Sequence, residues 1–418
     1  MELQMVAPWL FCVLLCVLFS GYESVVEYEA LALKPLTKPP ALEPDLSWSY
    51  SEGMSQMASE ERGGSAEASL YLRLEHRDAL SNATAEELFR HRLHRDSSRV
   101  GAIGSKSDPV FDPSKSRSYA ALSCQSPICR KLDVSGCGRG KSCLYQVSYG
   151  DGSFTLGDFS TETLSFRGAK LPAVALGCGH DNEGLFAGAA GLLGLGRGKL
   201  SFPSQAGRRY GRKFSYCLVD RTSSSGSRTA ASSVIFGPSA IPRSATIYTP
   251  MLRNPRLDTF YYVGLVGISV GGARVKGISE SDFRVDANGS GGVIIDSGTS
   301  VTRLFKPQYE ALRDAFRAGA ADLKRTTNGV VLFDTCYDLA GKTEVKVPTL
   351  VLHFANGANL SLPAANYLIP VDSRGVFCFA FAPTAGMVSI VGNIQQQGFR
   401  VVFDVVGSRV GFAPRGCT

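Results

Sequence analysis

A chain of 418 residues, 44% of them hydrophobic, can bury a substantial core, which excludes a disordered protein, and its length favours two lobes or more. The formal charge of +7 is spread thinly, with no dense basic run interleaved with aromatics, so nucleic acid is not an expected partner. Aromatic and β-branched residues recur in short runs punctuated by many of the 45 glycines, and few long stretches have a 3.6-residue period, so the expected class is mostly β.

The chain opens with one apolar run, Val6 to Phe19, followed by small and polar residues. Its length suits a secretory leader better than a membrane span, although Glu2 stands where Lys or Arg is usual. Residues 1–22 are therefore expected to be a signal peptide. The expected location is extracellular, with the vacuole as the alternative, and no stable membrane association is expected. Asn82, Asn288 and Asn359 each begin an N-x-S/T sequon, as glycosylation in a secreted protein requires. Of the eleven cysteines, Cys12 and Cys16 fall in the leader, and the odd number that remains cannot all pair within one molecule.

From Gly21 to about Tyr71 the sequence is polar, proline-bearing and low in pattern, and reads as flexible linker. SLYLRLEHRD then reads as a strand. Thr84, with Glu86 and Glu87 after it, opens an expected helix, AEELFRHRLHRDSSRV, whose apolar contacts are Leu88, Phe89 and Leu93. His76, His91 and His94 lie in this arginine-rich stretch, which gains positive charge as pH falls through the histidine range; an ordinary solvated helix has the same composition.

After DPVFDPSKSRSYAALSC comes the cluster Cys124, Cys129, Cys137 and Cys143, which could hold zinc but lacks C-x-x-C knuckles, so no metal is expected. LYQVSYGDGSFTLGDFSTETLSF reads as two strands about the tip Gly150-Asp151-Gly152, with Tyr149 just before it. Tyr149 is either a cross-strand packing residue or the aromatic of a lid over a cleft. Farther along, IYTPMLRNPRLDTFYYVGLVGISVGG reads as alternating strands and PQYEALRDAFRAGA as a helix by the spacing of Tyr309, Leu312 and Phe316.

Between these lies GGVIIDSGTSVTRL, whose Val293, Ile294 and Ile295 read as a buried strand delivering Asp296 into a turn of Ser297, Gly298 and Thr299. An Asx-turn after an interior strand is the plain reading; a carboxylate presented for chemistry is the other. Gly298 would permit unusual backbone geometry and close approach, and the hydroxyls of Ser297 and Thr299 could fix nearby oxygens. Two apolar-apolar-glycine elements, Leu192-Leu193-Gly194 and Ile390-Val391-Gly392, also suggest an internal duplication. The interval from Asp296 to Val391, counted back from Leu193, lands in Asp96-Ser97-Ser98, which has no apolar strand before it and no glycine. No other D-S-G or D-T-G occurs in the chain.

Taken together, YGDGSFT, AAGLLGLG, FYYVGLVGISVGG, IIDSGTSVTRL, SIVGNIQQQGFRVVFD and VGFAP stand in the order of the plant nepenthesin-like, pepsin-type aspartic proteases, which the chain resembles from about Leu72 onward. The resemblance implies a bilobal pepsin-like fold, peptide or protein substrates, no cofactor, and a monomer. It makes Asp296 one catalytic aspartate and places Tyr149, Gly150, Asp151, Gly298 and Thr299 at the substrate. It further implies a disulfide between Cys336 and Cys378 and an inhibitory prosegment from about Leu72 to Val100. Where such proteases carry a first D-T-G segment, Val100 to Gly104 here runs almost directly into Asp108-Pro109-Val110-Phe111. A deletion is therefore expected, leaving linker and prosegment at 23–104, a truncated N-terminal lobe at 105–245 and a C-terminal lobe at 246–418. The expected function is an aspartic endopeptidase by family, impaired in this chain; the alternative is a non-catalytic secreted binding or inhibitor protein.

Overall fold

The computed structural model describes residues 26–34, 68–74, 84, 86–87, 89–90, 110–149, 152–166, 168–184, 190–219, 232–243, 245–327, 332–414 and 417. The leader, Asn82, the three prosegment histidines, Gly150 and Asp151 lie outside these residues. Strands dominate, as the short β-branched runs require.

An eleven-stranded sheet forms the spine. It runs through Leu70–Leu74, Ser232–Phe236, Lys213–Cys217, Arg400–Asp404, Arg409–Ala413, Ile247–Leu252, Tyr262–Val263, Val293–Ile295, Ser389–Val391, Thr302–Phe305 and Phe381–Thr384. Both halves of the chain contribute, so neither is a free-standing layer. The expected SLYLRL strand is Leu70–Leu74 and pairs antiparallel with Ser232–Phe236, and Cys217–Cys417 ties the same region to the end of the chain.

Tight packing is concentrated in the C-terminal half. The helix Lys306–Gly319 starts with Pro307 in its first turn, where a missing amide hydrogen costs nothing, and buries Tyr309, Leu312 and Phe316 on one face. Phe316 stacks on Phe379 at 4.3 Å, and Phe379 on Phe381 at 4.8 Å, which pins the helix to the far end of the spine. The expected disulfide Cys336–Cys378 is present.

The first half is built differently. The expected hairpin is there: Cys143–Ser148 pairs with Phe154–Phe166, which pairs in turn with Ala169–Glu183. Its own buried apolar cluster is small, however: Cys129, Cys143, Tyr145, Phe159 and Ala175 among the described residues. Disulfides Cys124–Cys137 and Cys129–Cys143 staple it, which answers the zinc question for these four residues. Cross-links of this kind take over where apolar burial is too small to hold a unit together. Cys178 is the unpaired cysteine among the described residues.

One expectation is corrected. Within the stretch read as linker, Tyr28–Ala32 is a strand, paired antiparallel with Glu344–Pro348 from Tyr28 opposite Pro348 to Ala32 opposite Glu344. The run VEYEALALK is too short and too polar at its ends to stand out by periodicity; it becomes a strand by finding an edge.

Truncating Phe316 to Ala should cost about 3–5 kcal/mol, since a fully buried, stacked ring leaves a cavity. Urea unfolding of the purified chain measures it, and a loss below about 1 kcal/mol would mean that the helix is not seated as described.

Candidate active site

Asp296 leaves the end of the buried strand Val293–Ile295, and the turn that receives it closes around its carboxylate. The Gly298 amide donates to Asp296 Oδ1 at 2.8 Å and the Thr299 hydroxyl to Oδ2 at 2.7 Å. Gly298 does not adopt a positive φ, contrary to one reason for expecting glycine there. Its value is spatial: a Cβ would press on Asp296 Oδ1 at 3.0 Å.

The turn is held from below by the stretch that contains Ile390-Val391-Gly392. Ser389–Val391 runs parallel to Val293–Ile295 on one side and meets Thr302–Phe305 antiparallel at Arg303 on the other. The Asp296 amide donates to the Val391 carbonyl at 3.1 Å. The Asn393 amide then donates to the Thr299 carbonyl at 2.7 Å, its side-chain nitrogen to the Ser297 carbonyl at 3.0 Å, and the Ile394 amide to the Ser300 carbonyl at 3.0 Å. The carbonyls of Ser297, Thr299 and Ser300 are thereby each assigned a donor.

Below this, buried glutamines do work that apolar residues could not. Gln395 Oε1 accepts from the Thr302 amide and hydroxyl, both at 2.8 Å, while its Nε2 donates to the Asn366 and Ala380 carbonyls at 2.8 and 2.9 Å. Gln396 Nε2 donates to the Val391 carbonyl at 2.8 Å, and Gln396 Oε1 accepts from the Tyr216 hydroxyl. A fully satisfied network of this kind is rigid, because each bond sits where water cannot replace it. Gly392 completes the wedge: a Cβ there would lie 2.3 Å from the Val301 carbonyl carbon. Tyr216, Thr302, Asn393, Gln395 and Gln396 were not singled out from sequence. For Thr302, Asn393, Gln395 and Gln396 the signal was available in the polar residues of SVTRL and the run GNIQQQG; Tyr216, in KFSYC, carried none.

Among the described residues of the first half, the Tyr216 phenol lies near enough to Asp296 to feel its charge. Tyr216 is buried, and burial first and the nearby Asp296 charge second push its pKa well above the usual tyrosine range, against a bond to the Ser297 side chain that pulls it down. It therefore stays a neutral donor. Among the described residues, Asp296's carboxylate accepts from an amide and a hydroxyl, and no carboxyl is among its partners.

The similar apolar-apolar-glycine element of the first half is open among the described residues. Leu192-Leu193-Gly194 is not in a strand, and Leu192 and Leu193 are 59% and 44% exposed, whereas Val391 is fully buried. No described atom lies within 4 Å of a Cβ built at Gly191 or Gly194. Tyr149 stands at the hairpin end, its amide donating to the Ser153 carbonyl at 2.8 Å, and is 37% exposed; Val147 and Leu156 on the same hairpin are likewise exposed. The structure thus brings Gly298 and Thr299 onto Asp296 and puts Tyr149 on the hairpin. Of the sequons, Asn288 lies on an exposed turn, and exposed Asn359 begins the strand Asn359–Leu362 with its side chain bonded to His353 at 2.7 Å.

The described part of the expected prosegment helix lies against the C-terminal half. Thr84 and Glu87 cap its start reciprocally, the Glu87 amide donating to the Thr84 hydroxyl at 3.3 Å and the Thr84 amide to Glu87 Oε2 at 2.8 Å. Phe89 is buried with Val301, Phe333, Ile369, Val371 and the Cys336–Cys378 pair. Glu86 accepts from the Ser373 amide and hydroxyl, bonds that hold its carboxyl below the usual range.

Comparison with known proteins places this geometry in a family. Residues 95–238 match the family described as "Xylanase inhibitor N-terminal" and residues 260–414 the one described as "Xylanase inhibitor C-terminal". Aspartyl protease family protein 2 of Arabidopsis thaliana is 53% identical over 458 residues, covering 92% of each chain. Aspartic proteinase nepenthesin-1 of Nepenthes gracilis is 38% identical, covering 75% of this chain and 69% of its own. Basic 7S globulin from soybean superposes with a TM-score of 0.58 at 21% identity, over 72% of this chain and 83% of its own, a likeness of fold. The chain belongs to the plant nepenthesin-like family of pepsin-type aspartic proteases, with the mostly β, bilobal pepsin-like fold.

Adding a methyl at Gly392 should destabilise the chain by about 1–3 kcal/mol through overpacking against backbone, while the same change at Gly194 should stay within about 0.5 kcal/mol. Urea unfolding of Gly392→Ala and Gly194→Ala side by side reads the difference between a filled and an open wedge, and equal costs would erase it.

Proposed function

We propose that this chain is an aspartic endopeptidase by descent whose own peptide hydrolysis is severely impaired, because it brings one catalytic aspartate to a reaction that uses two. In the two-aspartate mechanism a water lies between carboxyls sharing one proton, since like charges that close cannot both ionise. One takes the water's proton during attack, and the other, protonated, donates to the forming oxyanion. Asp296, positioned by Gly298 and Thr299, could hold and deprotonate a water. The Tyr216 phenol is too weak an acid to share that proton reversibly.

The observation that carries this reading is the contrast between the two wedges: Val391 clamped between two strands beneath Asp296, and Leu192-Leu193-Gly194 exposed with open space beside its glycines. An N-terminal lobe of residues 105–245 that lacks its first D-T-G strand accounts for the contrast, for unpaired Cys178 and for the small stapled cluster. The alignment with the Arabidopsis thaliana protein supports it too, running over 458 residues while covering 92% of a 418-residue chain. The leader and the disulfides support export into the secretory route, to the cell exterior with the vacuole as the alternative, with peptide or protein as substrate.

A second reading, a secreted non-catalytic binding or inhibitor protein, is favoured by the xylanase-inhibitor descriptions that match both halves. Retention of Asp296 and Tyr149 weighs against it, since neither needs to persist in an idle cleft. Recovery of a stable stoichiometric partner from extracellular fluid would move the balance to this reading.

Losing one member of a coupled acid-base pair should remove on the order of two to four powers of ten in rate. The purified chain should therefore cleave peptides at acid pH no faster than its Asp296→Ala variant; robust cleavage that disappears on that substitution would overturn the proposal.

A further inference from the structure

The strand Tyr28–Ala32 is held more firmly than a segment in transit requires. Five residues keep register with Glu344–Pro348, and the pairing continues at both ends: the Glu27 amide donates to the Gly271 carbonyl at 2.9 Å, the Thr349 amide to the Glu27 carbonyl at 3.0 Å, and the Leu33 amide to the Thr343 carbonyl at 2.8 Å. Leu31 is 5% exposed and belongs to the main core with Val345, Val347 and Tyr367. The Tyr367 hydroxyl donates to Glu29 Oε1 at 2.5 Å, sharing its one proton with the Pro348 carbonyl at 3.0 Å. Glu344–Pro348 has no other strand neighbour among the described residues, so the docked segment is what completes it. Remove it, and a valine-bearing edge is left bare.

We propose that the edge of Glu344–Pro348 is an acceptor site for an extended strand, and that residues 26–34 fill it as a constitutive part of the C-terminal lobe. A cut anywhere between this strand and Leu70–Leu74 then yields a two-chain protein in which the N-terminal peptide stays bound. Main-chain pairing supplies affinity, and Leu31 and Glu29 supply the side-chain match. Lys34 of its own segment lines the same pocket as Glu29; Glu344 and Lys346 of the facing strand stand opposite Ala32 and Ala30 on the other face of the ladder, and the Tyr367 phenol and the Ala364 amide lie against the carboxylate. Burial raises the Glu29 carboxyl's pKa, against the bonds from Tyr367 and Ala364 that lower it. A carboxyl whose docked pKa lies above its free value favours docking when protonated, so the contact is strongest at low pH and weakens as pH rises through the docked value. Acidification therefore tightens this strand, whereas the lowered Glu86 carboxyl makes the helix contact at Ser373 weaken when pH falls.

The test uses the full chain with one protease recognition sequence inserted between Leu42 and Glu43. After cutting, size exclusion in native buffer at acid and neutral pH, followed by mass analysis of the protein peak, should recover the fragment ending at Leu42 in one-to-one ratio with the body. Elution of that fragment apart from the body at both pH values would overturn the proposal. Leu31→Asp in the same chain should release the fragment at least about tenfold faster, because it forces an unpaired charge into the core. If that variant does not fold, hydrogen exchange over Glu344–Pro348 in the cut and uncut wild-type chain decides. Equal protection supports retention, and protection lost on cutting refutes it.

Discussion

Everything at the candidate site depends on one strand driven between two others. Ser389–Val391 lies between Val293–Ile295 and Thr302–Phe305, and where it ends Gly392 passes so close to Val301 that a methyl group has no room. That closeness lets the following residues, Asn393 and Ile394, supply amides to the Asp296 turn, and it lets Gln395 and Gln396 reach buried carbonyls above and below. The carboxylate is therefore aimed by backbone geometry, and its own hydrogen bonds only complete the arrangement. A site built this way is rigid on its own side of the cleft whatever happens on the other.

In the first half the similar element Leu192-Leu193-Gly194 is not in a strand, and no described atom closes on its glycine. Leu192 and Leu193 have the same apolar character as Ile390 and Val391, yet they are exposed, because an apolar-apolar-glycine element buries itself by pairing and not by composition. The consequences reach beyond chemistry. The stapled cluster of the first half has few apolar residues to lose, and its hairpin leaves Val147, Tyr149 and Leu156 facing outward. The two disulfides hold that cluster, the rings of Phe202, Phe214 and Phe236 anchor the rest of the first half in the central spine, and the C-terminal half holds itself by its own stacked aromatics.

The segments that precede the lobes are part of this economy of edges. Leu70–Leu74 extends the central sheet along Ser232–Phe236, and Tyr28–Ala32 supplies a partner to Glu344–Pro348. Phe89 joins an apolar cluster that also contains Val301, one residue from the turn of Ser297 to Ser300. Chain that reads as linker and prosegment thus closes edges of the folded protein, and its contacts respond to acid in opposite directions through Glu29 and Glu86.

Much of this was written in local sequence. The β class, the hairpin before Tyr149, the helix of Tyr309, Leu312 and Phe316, the strand that presents Asp296 and the bond between Cys336 and Cys378 follow from periodicity, turn residues and motif, because each is decided by neighbours in the chain or by a strong family signature. Tertiary structure alone decided the strand at Tyr28–Ala32, which exists because an edge was waiting for it, and the roles of Tyr216, Thr302, Gln395 and Gln396, whose partners lie far away in sequence. It also decided that Leu192 and Val391, alike in composition, would have opposite fates: burial depends on the partner that arrives, and no residue carries that information by itself.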